Sequence, residues 1–484
     1  MIAALEELAP ASLWEHFAAL TAIPRPPGQE QQAMEYVKKL ADERYLPWRE
    51  DAFGNVVVYV EGSAGPVVAV QAHLDMVCEK NPDVEHNFFT DPIDVDRDGD
   101  VVFAQGTTLG ADNGIGAAAC LALMTESGVE HPALELAFTV QEETGLHGAI
   151  AFDPDLMSAE MLINLDSEDP DELIVGCAGG VTVGIALAVE RQEPPQGWES
   201  CELSVSGLKG GHSGIEIHRK RANALKLLTG ALREALAVGH ELQICAVSGG
   251  GAHNVIPRDA AAQLLVPAGA FADFQAAVEG TARLLATGWG DAEPTLQLAL
   301  RQKGEPAPAL DNSSAGRLLD LLDRLPHGII KMSSKFPDKV ETSANLAHVS
   351  TDDGEMHVLV SVRSPVDKQL QAVRESIEKL AGSMGAQAVP QDGYPGWDPD
   401  PDAELLAVAK RKYEEVNGRP PSVQVIHAGL ECGALVAKRP GMQAISFGPH
   451  ITGAHSPKEQ VRASTVEATW RLLIGILAEL SIQS

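Results

Sequence analysis

A histidine and a carboxylate stand two residues apart at His73-Leu74-Asp75, two carboxylates are adjacent at Glu142-Glu143, and single ones stand at Asp112 and Asp166. Two histidines follow much later, His450 and His455. Imidazole and carboxylate donors without thiolates suit zinc, or manganese or cobalt at a similar site, better than calcium or an iron–sulfur cluster. Two such ions about 3.5–4 Å apart need one carboxylate that bridges them, and Asp112 is the natural bridge. A metal pair polarises a carbonyl and lowers the pKa of a bound water, yet a separate group must move the proton. The Glu142-Glu143 pair can divide that labour, one carboxylate on a metal and its neighbour free as general base. A ligating imidazole commonly donates its other N–H to a carboxylate that orients it, a part Asp75 can play for His73.

Taken singly, these groups are ordinary: a core histidine at a strand end, a charged helix start, a plain turn at Asp112-Asn113-Gly114. Their places in the chain change that. Residues 66–71, PVVAVQ, form a β-branched and small apolar run that ends at His73. The strand-like run LELAFTV leads straight into Gln141-Glu142-Glu143, and MLINL leads into Asp166. After Asp112 the chain becomes IGAAACLALMTES, small residues suited to a helix packed tightly on a sheet. Three strand ends thus deliver the donors to one sheet edge, where α/β proteins place ligand chemistry.

Strands alternating with helices favour a largely parallel sheet covered on both faces. Ser12 with Glu15 reads as a capping box ahead of a first helix, residues 29–45 carry helical spacing, and GNVVVYVEG is a further strand. In the polar stretch 81–109, Asp94-x-Asp96-x-Asp98-Gly99 imitates a calcium loop. Its twelfth position is Gln105 and its flanks read as strands, so a solvated hairpin turn is expected. From about residue 181 to 392 the rhythm changes to two successive α/β halves, and the turn-rich residues 391–402 return the chain to the first domain. The expected division is 1–180 and 393–484 for one domain, with 181–392 inserted into it.

Composition bounds the function. A net charge of −32 over 484 residues opposes binding to nucleic acid or to an anionic membrane. No apolar run reaches the roughly 18 residues of a membrane span, and the start lacks a basic, then apolar, leader. The six cysteines are scattered without a C-x-x-C pair, as reduced thiols of a cytoplasmic protein would be.

In order along the chain stand HLD at 73–75, GADNGIG at 110–116, EETG at 142–145, NLDSE at 164–168 and GAHSPKE at 453–459. Together they resemble the dinuclear zinc peptidases that include aminoacylase, carboxypeptidase G and bacterial dipeptidases, over nearly the whole chain. Within that group, GLKGGHSGIEIHRKRANA at 207–224, GGGAHNVIPR at 249–258 and HAGLECG at 427–433 resemble the aminoacyl-histidine dipeptidases.

The resemblance implies an α/β catalytic domain with a mixed, mostly parallel sheet between helices, and an inserted α/β lid domain of two similar halves. It implies one zinc ion on His73, Asp112 and Asp166 and another on Asp112, Glu143 and His455, with cobalt or manganese as substitutes. His455 is preferred to His450 because it lies inside the matched motif. Glu142 becomes the general base and proton shuttle, Asp75 the orienter of His73, and the Asp112-Asn113 peptide is expected to be cis. His212 matches a lid histidine that acts on the developing oxyanion, while Asn254 and Arg363 match groups that bind the substrate carboxylate. His427 and Glu431 either line the pocket for the leaving residue or shape their glycine-rich loop. The implied activity is hydrolysis of Xaa-His dipeptides such as β-alanyl-histidine by a cytoplasmic homodimer. The alternatives are an aminoacylase or carboxypeptidase of the same family, or a non-catalytic protein that binds peptide or metal. The 200-residue scale of the insert suggests that its second half replaces contacts made elsewhere by a partner subunit.

Overall fold

Four parallel strands organise the part of the chain that carries most of the candidate residues. The structure, a computed structural model, describes residues 2–352, 354–391 and 393–482; the expected boundary at 392 lies outside them. The chain divides into two compact units, Met1–Cys177 with Trp397–Ser484, and Ala178–Gly396.

In the first unit an eight-stranded sheet runs in the order Trp48–Glu50, Val56–Val60, Pro132–Thr139, Ser63–His73, Met161–Asn164, Gln443–Ser446, Glu172–Cys177 and Ser422–Ile426. The third to sixth of these are mutually parallel, and the Trp48–Glu50 and Val56–Val60 ladders at the edge are antiparallel. Val68, Ala69, Val70 and Ala72 have no exposed surface, so this strand is covered on both faces, as the apolar run of residues 67–70 requires. The helix Ala111–Thr125 packs between the strand Ser63–His73 and the helix Ala11–Thr21. Its Ala117, Ala118 and Ala122 are fully buried, and their small size permits that double contact. The helix Gln31–Glu43 buries Ala33, Met34, Val37 and Ala41 on one face, and the final helix, Ala463–Leu480, buries Val466, Trp470, Leu473, Leu477 and Leu480 at the same period. Leu162, fully buried in the central strand Met161–Asn164, is a direct probe of this core. Leu162→Ala should lower unfolding stability by about 2–5 kcal/mol, read as a lower denaturant midpoint.

One local expectation is corrected and one is met. No capping box forms at the start of the chain: Ser12 lies inside the helix Ala11–Thr21, whose N-cap is Pro10, and its hydroxyl donates to Glu126 instead. The stretch with Asp94 does form a hairpin, Val95–Asp98 with Val101–Ala104, and Asp96 accepts from the Gln105 amide at 2.7 Å. It continues through Gln460–Arg462 into a small four-stranded sheet.

The second unit is built on one antiparallel sheet, whose main path is Gln297–Gln302, Trp198–Ser206, Ala260–Pro267, Gln243–Gly250, Val340–Thr351, Glu355–Ser364, Gly179–Ala188 and Gln387–Pro390. Each half of that path is strand, helix, strand, strand, helix, strand in sequence, with the spatial order fourth, first, third, second. Within the sheet the halves join at Gly249 with Val349 and Gly250 with His348, and the helices Ala224–Ala237 and Asn312–Arg324 pack against each other across the same join. They are nested, not successive: the first strand of the outer half, Gly179–Ala188, precedes the whole inner half and pairs along its length with Glu355–Ser364. The reading of two consecutive halves is corrected accordingly. Among the described residues no helix is long and apolar enough to cross a membrane, and all six cysteines are free thiols.

Candidate active site

The four parallel strands of the first unit end side by side, and each continues into a segment bearing candidate groups. Ser63–His73 ends on His73 itself, Pro132–Thr139 leads to Glu142 and Glu143, Met161–Asn164 to Asp166, and Gln443–Ser446 to His455. The last of these strands is legible in the sequence as a short run at 444–446 before the loop of His450 and His455; its place beside the other three follows from its parallel pairing with Met161–Asn164.

Asp112 lies at the centre. Its Oδ1 is 3.2 Å from His73 Nε2 and its Oδ2 is 3.2 Å from His455 Nε2, so its two oxygens face different imidazoles. His73 Nε2 is also 3.4 Å from Asp166 Oδ1, and His455 Nε2 is 3.0 Å from Glu143 Oε2. On the far side of the ring, His73 Nδ1 approaches the backbone oxygen of Asp75 at 3.1 Å and its carboxylate at 3.4 Å. That carboxylate accepts the backbone N–H of Glu142 on one oxygen and of Glu143 on the other, both at 3.0 Å. One buried aspartate therefore ties the ring of His73 to the turn that carries both glutamates. The Asp112-Asn113 peptide is cis, and both residues depart from helical geometry, so regular helix begins after Asn113.

Four carboxylates, those of Asp75, Asp112, Glu143 and Asp166, thus surround two imidazoles, and that of Glu142 lies near enough to His73 and Asp166 to feel their charge. Burial pushes the Asp166 carboxyl up to about 7, with His73 pulling it back and Asp112 and Glu143 pushing it further. Burial likewise raises Glu142 well above the carboxylate range; the charge on His73 opposes it, and Asp166, Glu431 and Glu143 add to it. Hydrogen bonds to Asp112 and Glu143 lift His455 to about 11. For His73, burial works against the charge, and the neighbouring carboxylates outweigh it and raise the imidazole well above its usual value. These four upward shifts, of carboxyls and imidazoles alike, mark an excess of buried negative charge. Glu143 Oε1 is buried without a hydrogen-bond partner among the described residues. Donor atoms of His73, Asp112 and Glu143 lie within 4.8 Å of one another. The residues fit divalent cations in donor type, in charge and in spare coordinating atoms.

Some residues differ from expectation or were not found from sequence. Glu431, for which the sequence leaves both pocket lining and a structural role in its loop open, has 0% exposure at the start of the helix Glu431–Lys438. Its carboxyl accepts from Gln71 Nε2 at 2.5 Å and from the Thr139 hydroxyl at 2.9 Å, and burial pushes it up to about 8. It supports the strand ends from within, as its loop's alternative structural role implies. His427 is half-buried in the bend after Ser422–Ile426, and His450 uses its backbone N–H on Thr465. Glu30 Oε1 accepts from Gly28 N and Gln141 N, holding the turn just before Glu142. Arg25 and Glu459, both buried, hold the loop ahead of Asp112. Only Glu459 had a signal in sequence, its place in GAHSPKE.

His212, Asn254 and Arg363 belong to the second unit. His212 Nδ1 accepts the backbone N–H groups of Gly214 and Ile215, each at 3.2 Å, which leaves the proton on Nε2. Burial, and then Arg363, lower its pKa, which favours the neutral ring. The Asn254 carbonyl accepts from Ser213 N, which fixes the two loops together. Arg363 donates from Nη1 to the Tyr394 hydroxyl at 2.8 Å, and its Nε is buried without a partner among the described residues.

The sequence pattern of peptidase family M20/M25/M40 matches residues 69–479. The chain is 38% identical over 485 residues to the cytosol non-specific dipeptidase of Escherichia coli (strain K12), a similarity that covers 98% of this chain and 99% of that protein. Among solved structures it is similar to the aminoacylhistidine dipeptidase from Vibrio alginolyticus, with a TM-score of 0.94, 35% identity and 98% of both chains covered. Aminopeptidase PepT from Bacillus cereus has the same fold, at a TM-score of 0.56 and 16% identity over 98% of this chain and 99% of that one.

Proposed function

We propose, from the premise that this chain belongs to peptidase family M20/M25/M40, that it hydrolyses unblocked dipeptides, foremost Xaa-His dipeptides such as β-alanyl-histidine. The observation that carries this reading is Asp112 with one oxygen toward His73 and the other toward His455, beside Glu142-Glu143 at the ends of parallel strands. The dipeptide substrate is supported by the names of the two relatives matched over their whole length, a non-specific dipeptidase and an aminoacylhistidine dipeptidase. The first of those names also supports a cytoplasmic location.

In this reading His73, Asp112 and Asp166 hold one divalent ion and Asp112, Glu143 and His455 the other, zinc in the first instance and cobalt or manganese as substitutes. Such ions, when bound, polarise the scissile carbonyl and lower the pKa of water. The chain's own residues orient and move protons. Asp75 fixes the ring of His73 so that Nε2 faces the site. Glu142 takes a proton from the attacking water and returns it to the leaving amine as the C–N bond breaks. His212 offers its Nε2–H to the developing oxyanion, worth several kcal/mol in a water-poor site. Arg363 and Asn254 bind the C-terminal carboxylate, Arg363 through its planar fork of donors. His427 lines the pocket of the leaving residue. Residues 181–392 act as a lid that closes over substrate, and the enzyme works as a homodimer.

Purified protein supplied with zinc should cleave β-alanyl-histidine and other free dipeptides and leave their N-acetylated forms intact. Faster cleavage of the N-acetylated compounds would favour the aminoacylase or carboxypeptidase alternative. Absence of any hydrolysis by protein that carries metal would favour a binding protein.

A further inference from the structure

We infer, on the basis of the proposed ligand set, that Glu459 and Arg25 are positioning residues that clamp the ligand-bearing segments to one another, and that Glu459 sets the spacing between Asp112 and His455. Glu459 is 3% exposed. Its Oε2 accepts the backbone N–H of Leu109 at 2.8 Å and of Gly110 at 2.9 Å. Its Oε1 accepts those of Ala111 at 2.7 Å and Asp112 at 3.1 Å. One carboxylate thus takes four consecutive backbone donors, the last of them on the proposed bridging residue. Hydrogen bonds to an ionised acceptor are roughly twice as strong as neutral ones.

The acceptor comes from 347 residues along the chain, and it brings His455 with it. The segment between them is tightly folded. Ser456 Oγ donates to the Gly453 carbonyl at 2.7 Å, and Glu459 N donates to Ser456 O at 3.0 Å. Gly453 has φ +70°, and a Cβ there would stand 2.5 Å from the Lys458 carbonyl oxygen. His455 therefore cannot shift relative to Asp112 unless Glu459 shifts on its four donors.

Arg25 works on the opposite, carbonyl side of the same loop. It is 1% exposed, and Nη2 donates to Gly110 O at 2.6 Å while Nη1 donates to Leu74 O at 2.8 Å and Asp75 O at 3.2 Å. The guanidinium occupies space left by two glycines: a Cβ on Gly110 would lie 2.3 Å from Nη2, and one on Gly114 would lie 2.7 Å from it. Arg25 joins the His73 strand end to the Asp112 loop, and Glu459 joins that loop to His455. An ordinary helix cap would stabilise the helix but would have no reason to act on one metal position more than the other.

The test is zinc titration of Glu459→Gln, with stoichiometry by metal analysis and the cobalt-loaded absorption spectrum as a second readout. Glutamine supplies one acceptor oxygen and turns an amide N–H2 toward the remaining backbone donors. The parent protein should bind two ions, and Glu459→Gln should bind the one at His455 about 10–100-fold more weakly while holding the other as before. Parent protein and His455→Ala are titrated alongside. A parent that does not bind two ions would remove the ligand reading itself. A parent that binds two and loses one in His455→Ala, with Glu459→Gln still binding both like the parent, would overturn only the positioning role. Equal weakening of both ions in step with a lower Tm would overturn it as well. Should Glu459→Gln fail to fold, Glu459→Asp and Arg25→Lys keep each charge while changing its reach. The first should weaken the His455 ion and the second the His73 ion, and parent-like affinities in both would overturn the inference.

Discussion

Glu142→Gln protein should bind zinc as the parent does and turn over β-alanyl-histidine about 10²–10⁴-fold more slowly. Such a loss corresponds to about 2.7–5.5 kcal/mol of transition-state stabilisation. The substitution is nearly isosteric and leaves the backbone N–H of residue 142 on Asp75, so the turn and its neighbour Glu143 should hold their places. What it removes is the ability to accept a proton and give it back. Metal analysis alongside kcat separates this from a loss of ligands: a slow enzyme with full metal would support the shuttle, and normal turnover would sink it. Mixing this variant with His212→Ala adds a second readout. Recovery of activity in the mixture would show a site completed between subunits, and its absence would support a His212 that serves its own chain.

Asp112→Ala should lose both ions, and with them all measurable hydrolysis. The reason lies in the geometry, since among the described residues no other carboxylate presents separate oxygens to His73 and His455. Removing Asp166, which approaches only His73, or Glu143, which approaches only His455, should weaken one ion chiefly. The measurement is zinc content after dialysis against a weak chelator. Retention of two ions by Asp112→Ala would show that the proposed bridge is no bridge. The same experiment carries a structural control, because the four backbone donors of residues 109–112 remain on Glu459 whatever side chain stands at 112.

The α/β architecture and the strand ends were legible because they depend on local properties. An apolar run such as residues 67–70 predicts a strand buried on both faces, and the histidine and carboxylate just beyond its end lie at an edge. The small residues after Asp112 predict a closely packed helix for the same kind of reason. Reading failed where a partner distant in sequence decides. Ser12 had the residue spacing of a cap, yet the chain enters its helix through Pro10, and the hydroxyl is used on Glu126. The two halves of the second unit read as consecutive because the strand Gly179–Ala188 carries no mark of a partner more than 150 residues away. Glu431 has the same side chain as Glu142, and its seclusion follows only from the Gln71 and Thr139 side chains that face it.

His73, Asp75, Asp112, Glu142, Glu143, Asp166 and His455 were each nominated by residue type and local context, which a sequence carries in full. Which oxygen of Asp112 faces which imidazole was decided by the tertiary structure alone. So were the burial of Arg25 and Glu459 on opposite sides of one loop. Hydrogen-bond direction and desolvation depend on what lies within a few ångströms in space, and in this chain those neighbours are separated by as many as 350 residues.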